Sequence, residues 1–426
     1  MIQTYFRQAW RLLRQNKLFS AIYIAGTALT IATTTIFAVI YYVKIEPIYP
    51  ESNRHRTAYL SRAQMDNRDG KWASVGSVGL DLLYKLRDVE GVEKLSVIKE
   101  HRWRNDYVGL PGKDNDVRAY VKGVDPQFFE IYDFDFKDGR PFSAAEFESG
   151  VHAAVITDDL AMRLFGTDRD ITGRELQLNY DTYRVAGVVR GGSSLTSWSF
   201  ATLYMPYTSV SGYDRQSTPN MGQFKGIILT DDLDLVQRGV AEMTRRFNSS
   251  QDEFDLELWQ QPTSHTAMAL CPDPTSSSGI GGVIFSRGLI LLILLLVPAL
   301  NLSGMISGRM ETRGAELGVR RSFGATRRHL LGQVVWENMV LTLIGGVLGL
   351  LLTWLLLWLT SGSLLTLVDD RFDAPAADPT LTPDMLFAPA VFGIMLVLTI
   401  VLNLLSAIVP AWITSRRRIV KSLKEK

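Results

Sequence analysis

Few side chains in this 426-residue chain are spaced for covalent chemistry. The five histidines are scattered, and His55, His101 and His152 stand at spacings that build neither a Ser-His-Asp set nor a metal-ligand cluster. No G-x-x-x-x-G-K-S/T loop occurs, so the backbone cradle that a nucleotide-hydrolysing loop places around phosphates is missing. Asp369, Asp370, Asp373, Asp378 and Asp384 lack the alternating Asp/Asn-plus-Gly spacing of a calcium loop and read as a solvated acidic stretch. The single cysteine, Cys271, cannot form an internal disulfide and says nothing about redox compartment. No catalytic, cofactor-binding or metal-binding residue is expected.

One segment is dense in residue types that recognise a partner, Arg309 to Arg328. It mixes charge with Leu317, Val319 and Phe323, and Gly324-Ala325 allows a close turn before a basic helix begins. A positively charged loop would explain the arginines but not the glycines or the apolar side chains. An exposed helix of this composition needs a protein partner or the lipid headgroup layer.

The elements that position this segment are apolar. Four nearly uncharged blocks, Leu18–Val43, Val283–Ile306, Val334–Thr360 and Leu386–Thr414, each exceed the ~20 residues a helix needs to cross ~30 Å of hydrocarbon. Their presence excludes a soluble cytosolic enzyme, although the mean hydropathy of +0.07 is that of an ordinary soluble chain. Sixteen of the 45 Lys and Arg, but only three of the 44 acids, fall in segments 1–17, 307–333 and 415–426. Those segments carry a net +13, against −12 elsewhere. Basic short loops stay cytoplasmic. Both termini and the 307–333 loop are therefore expected inside, and residues 44–282 and the 361–385 loop outside. The first block is too long for a signal-peptide core, and no small-residue cleavage site precedes Lys44-Ile45-Glu46-Pro47, so it is read as a retained anchor.

The spans offer little to an ion-coupled carrier: Asn301, Asn403 and, near the ends, Arg287 and Glu337. Asn403 suits a hydrogen bond between helices. The cytoplasmic segments, 56 residues in all, are too short for a kinase or cyclase domain. Driving energy must come from another chain.

Residues 1–17 form an expected amphipathic helix in the cytoplasmic headgroup layer, with Ile2, Tyr5, Phe6, Ala9, Trp10, Leu12 and Leu13 opposite Arg7, Arg11, Arg14 and Lys17. Residues 44–282 are numerous enough for a real core. Ala153–Ile156 reads as a buried strand, followed by a helix capped at Thr157 or Asp158 and stopped by Gly166. Leu176–Leu178 and Tyr183–Val189 suggest a hairpin around Asn179–Thr182. Val78–Leu86 and Asp234–Phe247 read as helices, Val92–Ile98 and Ile227–Leu229 as strands. Strands alternating with helices, without a dinucleotide fingerprint, indicate an α+β domain. Pro272, Pro274 and Thr275–Gly282 make a non-helical approach to the second span.

With these residues in view, the chain resembles the FtsX/MacB-type permeases of ABC systems. Glu316 to Ala325 fits the family pattern E-I/L-G-I/V-R-x-A/S-x-G-A, continuing through Gln333 and Glu337 into Gly345-Gly346-Val347-Leu348-Gly349. Ala299-Leu300-Asn301-Leu302, the C-terminal Pro410-Ala411-Trp412 with Ser422-Leu423, and the N-terminal helix Ala9 to Lys17 are similar to the family's other landmarks. In the outer region, Gly123 to Phe129, Asp138-Gly139-Arg140-Pro141-Phe142, Ala154 to Gly166, Ile171 to Arg174 and Val185 to Val189 follow the order of a MacB-type periplasmic core.

The resemblance implies an α-helical protein of the cell inner membrane with four transmembrane helices and a large α+β periplasmic domain of two lobes, one inserted at about 125–195. It implies a permease subunit, not itself an enzyme, working with two copies of a separate cytoplasmic ABC ATPase and with a second permease, identical or paralogous. It allows a periplasmic adaptor and an outer-membrane duct as further partners, with membrane lipid around the spans and no nucleic acid. Glu316, Leu317, Gly318, Arg320, Arg321, Phe323, Gly324 and Ala325 would couple to the ATPase. Gly345 and Gly349 are spaced for close helix packing, within the chain or across a dimer. The family pattern often has a basic residue directly before the coupling Glu, where this chain has Ala315. MacB carries its ATPase at its own N-terminus, whereas this chain starts almost at the membrane. Export is the favoured reading. An FtsX-like regulatory subunit and a lipoprotein-release permease share the architecture.

Overall fold

The computed structural model describes residues 17–100, 106–113, 116–214, 220–271, 281–290, 326–360 and 389–416, together with 273, 292–293, 296, 323 and 385. The expected N-terminal amphipathic helix, most of the approach to the second span, the 361–384 loop and the basic C-terminal tail lie outside the described residues. The chain divides into two units. One is Met1–Tyr42, Ile284–Leu367 and Met385–Lys426, and the other, the head, is Val43–Val283 with Val368–Asp384.

Helix α1 covers Lys17–Ile45, of which Lys17–Tyr42 belong to the first unit. After the helices of the head come α8 (Gly281–Ile290), α9 (Arg327–Leu359) and α10 (Pro389–Arg416). Among the described residues, α1, α9 and α10 are long and apolar enough to cross a membrane, while α8 is shorter. The rest of the second expected span lies mostly outside the described residues. Leu29, Leu351, Trp358, Ile394 and Val397 are exposed on these helices. Water would not tolerate so continuous an apolar surface, but lipid solvates it.

The head is a mixed sheet with helices packed on it. Its strands are β1 (Thr57–Leu60), β2 (Ala63–Asn67), β3 (Ala73–Val78), β4 (Lys94–Glu100), β5 (Asp106–Gly109), β6 (Val117–Ala119), β7 (Val121–Val124), β8 (Phe136–Gly139), β9 (Ala153–Thr157), β10 (Glu175–Leu178), β11 (Asp181–Val189), β12 (Leu203–Pro206), β13 (Met221–Gly222), β14 (Phe224–Leu229), β15 (Phe254–Glu257) and β16 (Thr263–Ser264). Its helices are α2 (Leu80–Lys85), α3 (Phe128–Ile131), α4 (Ala144–Glu148), α5 (Asp158–Phe165), α6 (Leu233–Ser249) and α7 (His265–Leu270). The path runs β15-β2-β3-β14-β4-β7-β12-β9-β11-β10-β5-β6 as one hydrogen-bonded network. Around β9 and β11 it also takes in β5, β6, β7 and β12, which lie outside the expected 125–195 lobe. The reason is pairing: β5 runs antiparallel to β10 and β12 parallel to β7.

Local chemistry explains most of these elements. β9 is buried along its whole length. Thr157 rather than Asp158 caps α5, its side chain accepting from the Leu160 amide, and Gly166 ends it with φ of 73°. The β10–β11 hairpin turns at Asn179-Tyr180, with Asn179 at φ of 54°, because β11 already begins at Asp181. The helix expected from Val78 starts at Leu80, since Val78 pairs in β3 with Met221 and Phe224. Asp232 caps α6 through the Leu235 amide.

Two motif residues are fixed by close contacts. Gly139 has φ of 65°, and a Cβ there would meet the Ala186 carbonyl and come within 2.8 Å of Gly187 Cα. Asp125 is fully buried and accepts from Ser96 Oγ (2.7 Å) and from the amides of Val97 (2.9 Å) and Phe128 (3.2 Å), which ties β4 to the start of α3. Burial pushes its carboxyl up to about 6, against the opposing pull of these hydrogen bonds and of Arg87.

Candidate functional site

Phe323 occupies a turn and is 88% exposed. The other residues expected to couple to an ATPase, Glu316, Leu317, Gly318, Arg320, Arg321, Gly324 and Ala325, lie outside the described residues. Helix α9 begins at Arg327, directly after this segment.

The two spaced glycines of α9 lie against α1 of the same chain. A Cβ at Gly345 would fall 2.8 Å from Thr27 Cβ and 3.1 Å from the Ile24 carbonyl oxygen. At Gly349 it would fall 2.7 Å from the Ala28 carbonyl oxygen and 2.8 Å from Ile31 Cβ. Small residues here let two backbones approach within lipid, where helix association depends on packing and on hydrogen bonds. A buried polar set joins three helices beside this seam. The hydroxyls of Tyr23 (α1) and Thr342 (α9) are 3.2 Å apart, and Asn403 Nδ2 (α10) donates to Thr342 Oγ1 at 3.3 Å. The amide expected to bond between helices does so.

In the head, a cluster that the sequence did not single out surrounds the end of α1. The last carbonyls of a helix have no partner within it. Here Arg54, 3% exposed, donates through Nη1 to the carbonyls of Val43 (2.7 Å) and Glu46 (2.5 Å). Its Nε donates to Glu51 Oε2 at 2.8 Å, and Glu51 Oε1 accepts from the Ser199 amide at 3.0 Å. His265 Nε2 lies 2.9 Å from the Lys44 carbonyl oxygen, and Nδ1 lies 2.9 Å from the Tyr59 hydroxyl. A carbonyl only accepts, so Nε2 carries a proton.

Tyr59 in turn stacks on Trp198 with ring centroids 4.2 Å apart. Burial drives the Glu51 carboxyl up, but Arg54 and His265, with the hydrogen bonds from Ser199 and Arg54, outweigh it and hold the group below the usual carboxylate range. Burial raises the Tyr59 hydroxyl well above its ordinary value, so it stays neutral. A cation at a helix C-terminus also meets the negative end of the helix dipole. The cluster holds backbone. It presents no nucleophile with a partnered base, and among the described residues no group of three or more His, Cys, Asp or Glu is placed to hold a metal ion.

Both parts of the chain match known protein families. Residues 20–245 match the family model of a MacB-like periplasmic core domain, and residues 288–419 match that of the FtsX-like permease C-terminal region. The ABC transporter permease YknZ of Bacillus subtilis is 22% identical over 269 residues, 62% of each chain. The pyoverdine export ATP-binding/permease protein PvdT of Pseudomonas fluorescens is 23% identical over 348 residues, 80% of this chain and 50% of the relative. The macrolide export ATP-binding/permease protein MacB of Acinetobacter baylyi is 24% identical over 247 residues, 57% of this chain and 35% of the relative. Each match spans less than two thirds of the relative's own length. The crystal structure of the periplasmic region of MacB from Actinobacillus actinomycetemcomitans aligns at a TM-score of 0.33 and 14% identity, covering 46% of this chain and 88% of that one.

Proposed function

The chain belongs to the family of ABC-transporter permeases that join a MacB-like periplasmic core domain to an FtsX-like C-terminal region, and from that premise we propose that it is the membrane subunit of an export system driven by a separate ATPase. In this reading two copies of a cytoplasmic ATPase engage the segment from Glu316 to Ala325 on a pair of permeases, identical or paralogous. Nucleotide-driven closure of the ATPases displaces α9, and α9 moves α1 through the Gly345–Gly349 seam. The head, in the periplasm, then changes its engagement with an adaptor and an outer-membrane duct. Both termini are cytoplasmic, and cargo need not cross this membrane inside the protein.

The observation that carries the reading is the match of residues 20–245 to the MacB-like core, more than half of the chain. Two relatives named for export, of pyoverdine and of a macrolide, support export over a purely regulatory role. The charge asymmetry of the loops supports the orientation. The exposed Phe323 at the entrance to α9 supports docking, because an apolar side chain at 88% exposure is a natural anchor for a partner's pocket.

The test is co-expression with the cognate ATPase. Phe323→Asp puts a charge on the anchor, and Gly324→Trp fills the turn, so both variants are expected to lose the ATPase on co-purification. Undiminished recovery of the complex with both variants removes the docking claim. ATP hydrolysis by the purified chain alone removes the separate ATPase.

A further inference from the structure

We propose that a cleft of the head under the β11–β12 connection binds a phosphate ester, with Arg54 and Lys44 receiving the phosphate and an apolar wall of Leu195, Trp198 and Met268 taking the organic body. All of these residues belong to the head unit. The site goes beyond the permease reading, which supplies no ligand of this kind, and it involves neither an ATPase nor the segment proposed to dock one.

The cleft measures about 340 Å³ out to its open mouth, within the range of small-molecule sites. Its wall is already in place. Buried Lys122 donates through Nζ to the carbonyls of Ser197 (2.9 Å) and Trp198 (2.7 Å), so two acceptors that would repel an anion are occupied. The Trp198 ring is held by the Tyr59 ring, 4.2 Å away, and by Lys225 Nζ, 4.9 Å from its centroid. A wall fixed by such contacts costs a ligand little ordering on binding.

The polar end is cationic and has a donor to spare. The Nε and Nη1 of buried Arg54 are taken up by Glu51 and by the carbonyls of Val43 and Glu46. Its Nη2 makes no hydrogen bond among the described residues, and a buried donor left unpaired is costly, so the guanidinium calls for an acceptor from the cleft. Glu51 is the one acid among the lining residues, and its charge is already met by Arg54, the Ser199 amide and His265. Half-buried Lys44 brings a second cation to the rim. A planar guanidinium beside an ammonium matches the oxygens of a phosphate through charge-assisted bonds. Lys44 is also the penultimate residue of a stretch, Ser20–Ile45, long and apolar enough to span a membrane, so lipid headgroups are one source of that chemistry and soluble phosphate esters the other.

The experiment titrates the full chain in maltoside micelles and counts bound ligand by native mass spectrometry. Dihexanoylphosphatidylglycerol probes the lipid source and glycerol 3-phosphate the soluble one. Arg54 is left intact, because it also holds backbone. Ala269→Glu places a carboxylate in the lining at a side chain that makes no hydrogen bond, and Lys44→Gln removes the rim cation. Thr266→Glu puts the same carboxylate on the exposed side of α7, outside the lining. The parent is expected to take up one copy of a probe saturably. Ala269→Glu should weaken uptake at least about tenfold and Lys44→Gln about threefold or more, as charges a few Å apart require, with Thr266→Glu at the parent value. Saturation by glycerol 3-phosphate, with or without the lipid, assigns a soluble ester, and saturation by the lipid alone assigns a headgroup. Absence of saturable uptake of both probes by the parent overturns the proposal. So does parent-level uptake by monodisperse Ala269→Glu or Lys44→Gln, or equal weakening by Thr266→Glu. No ATPase takes part in this measurement, so its failure leaves the ABC reading standing, and loss of that reading in the co-purification test leaves the cleft standing.

Discussion

Replacing Gly349 by alanine probes whether α1 and α9 move as one body. The added Cβ would lie 2.7 Å from the Ala28 carbonyl oxygen and 2.8 Å from Ile31 Cβ. Both are parts of α1 that cannot swing aside. Restoring an ordinary carbon contact of about 3.5 Å requires the helices to part by roughly 0.7 Å. That movement takes the Tyr23–Thr342 pair from 3.2 Å to about 4 Å, beyond hydrogen-bonding range. Overpacking of this kind costs about 1–3 kcal/mol, and the lost interhelical hydrogen bond adds about 0.6 kcal/mol. Against these stands the better helix propensity of alanine, about 1 kcal/mol. The sum is a net destabilisation of about 0.6–2.6 kcal/mol.

Gly346 supplies the internal control. A Cβ there meets the Leu396 Cδ1 at 2.6 Å, the far end of a flexible side chain that can change rotamer. Gly346→Ala is therefore expected to be neutral, or stabilising by up to about 1 kcal/mol through propensity. The assay is unfolding of the full chain in mixed micelles with increasing denaturing detergent, run on both variants with and without Tyr23→Phe. Tyr23→Phe should cost about 0.6 kcal/mol in the parent and less in Gly349→Ala, where its bond to Thr342 is already broken. Equal stability of Gly349→Ala and Gly346→Ala, with Tyr23→Phe costing the same in both, would refute the close seam.

Two further predictions concern the head. Asp125 has a folded-state value raised to about 6 from 3.8, so its contribution is fully present below about pH 4 and is lost as pH rises through 6; at 1.36 kcal/mol per unit this is about 3 kcal/mol. The destabilisation caused by Asp125→Asn, measured by urea titration of the full chain at about pH 4.5 and about pH 7.5, should therefore shrink with rising pH, and a penalty that is constant or grows contradicts the assignment. Gly139→Ala places a Cβ against the Ala186 carbonyl at a positive φ, so a loss above about 3 kcal/mol or failure to fold is expected, read by recovery of monodisperse protein.

The membrane helices and much of the head were legible because their signals are local. A run of apolar residues longer than a bilayer is thick identifies α1, α9 and α10 without reference to any partner. Ala153–Thr157 is buried on both faces and shows an unbroken apolar run, and Gly166 marks the helix end because only a left-handed residue fits there. The glycine spacing of α9 announced close approach but not its partner. The small residues of Ala25-Gly26-Thr27-Ala28 in α1 were the complementary signal. The root of the head was not legible. Arg54 stands in Asn53-Arg54-His55-Arg56, a stretch that reads as solvated surface, yet it is buried and bonds to residues 43, 46 and 51. His265 lies more than two hundred residues from Lys44 and Tyr59, so no spacing rule connects them.

The charged clasp on the carbonyls of Val43 and Glu46 differs in kind from an ordinary helix end. A neutral hydrogen bond exposed to water contributes about 0.5–1.5 kcal/mol, since water replaces either partner as it opens. Withdrawing those carbonyls leaves the Arg54–Glu51 pair intact but strands a buried guanidinium N–H, and a hydrogen bond to a charged group is worth about 1.5–3 kcal/mol. The stabilisation of the intact pair over a well-packed apolar core is small by comparison. The arrangement is therefore a poor way to make the head more stable and a good way to make withdrawal of these carbonyls from Arg54 costly. Glu51, whose carboxyl stays ionised because Arg54 and His265 outweigh its burial, keeps that property through the whole neutral range.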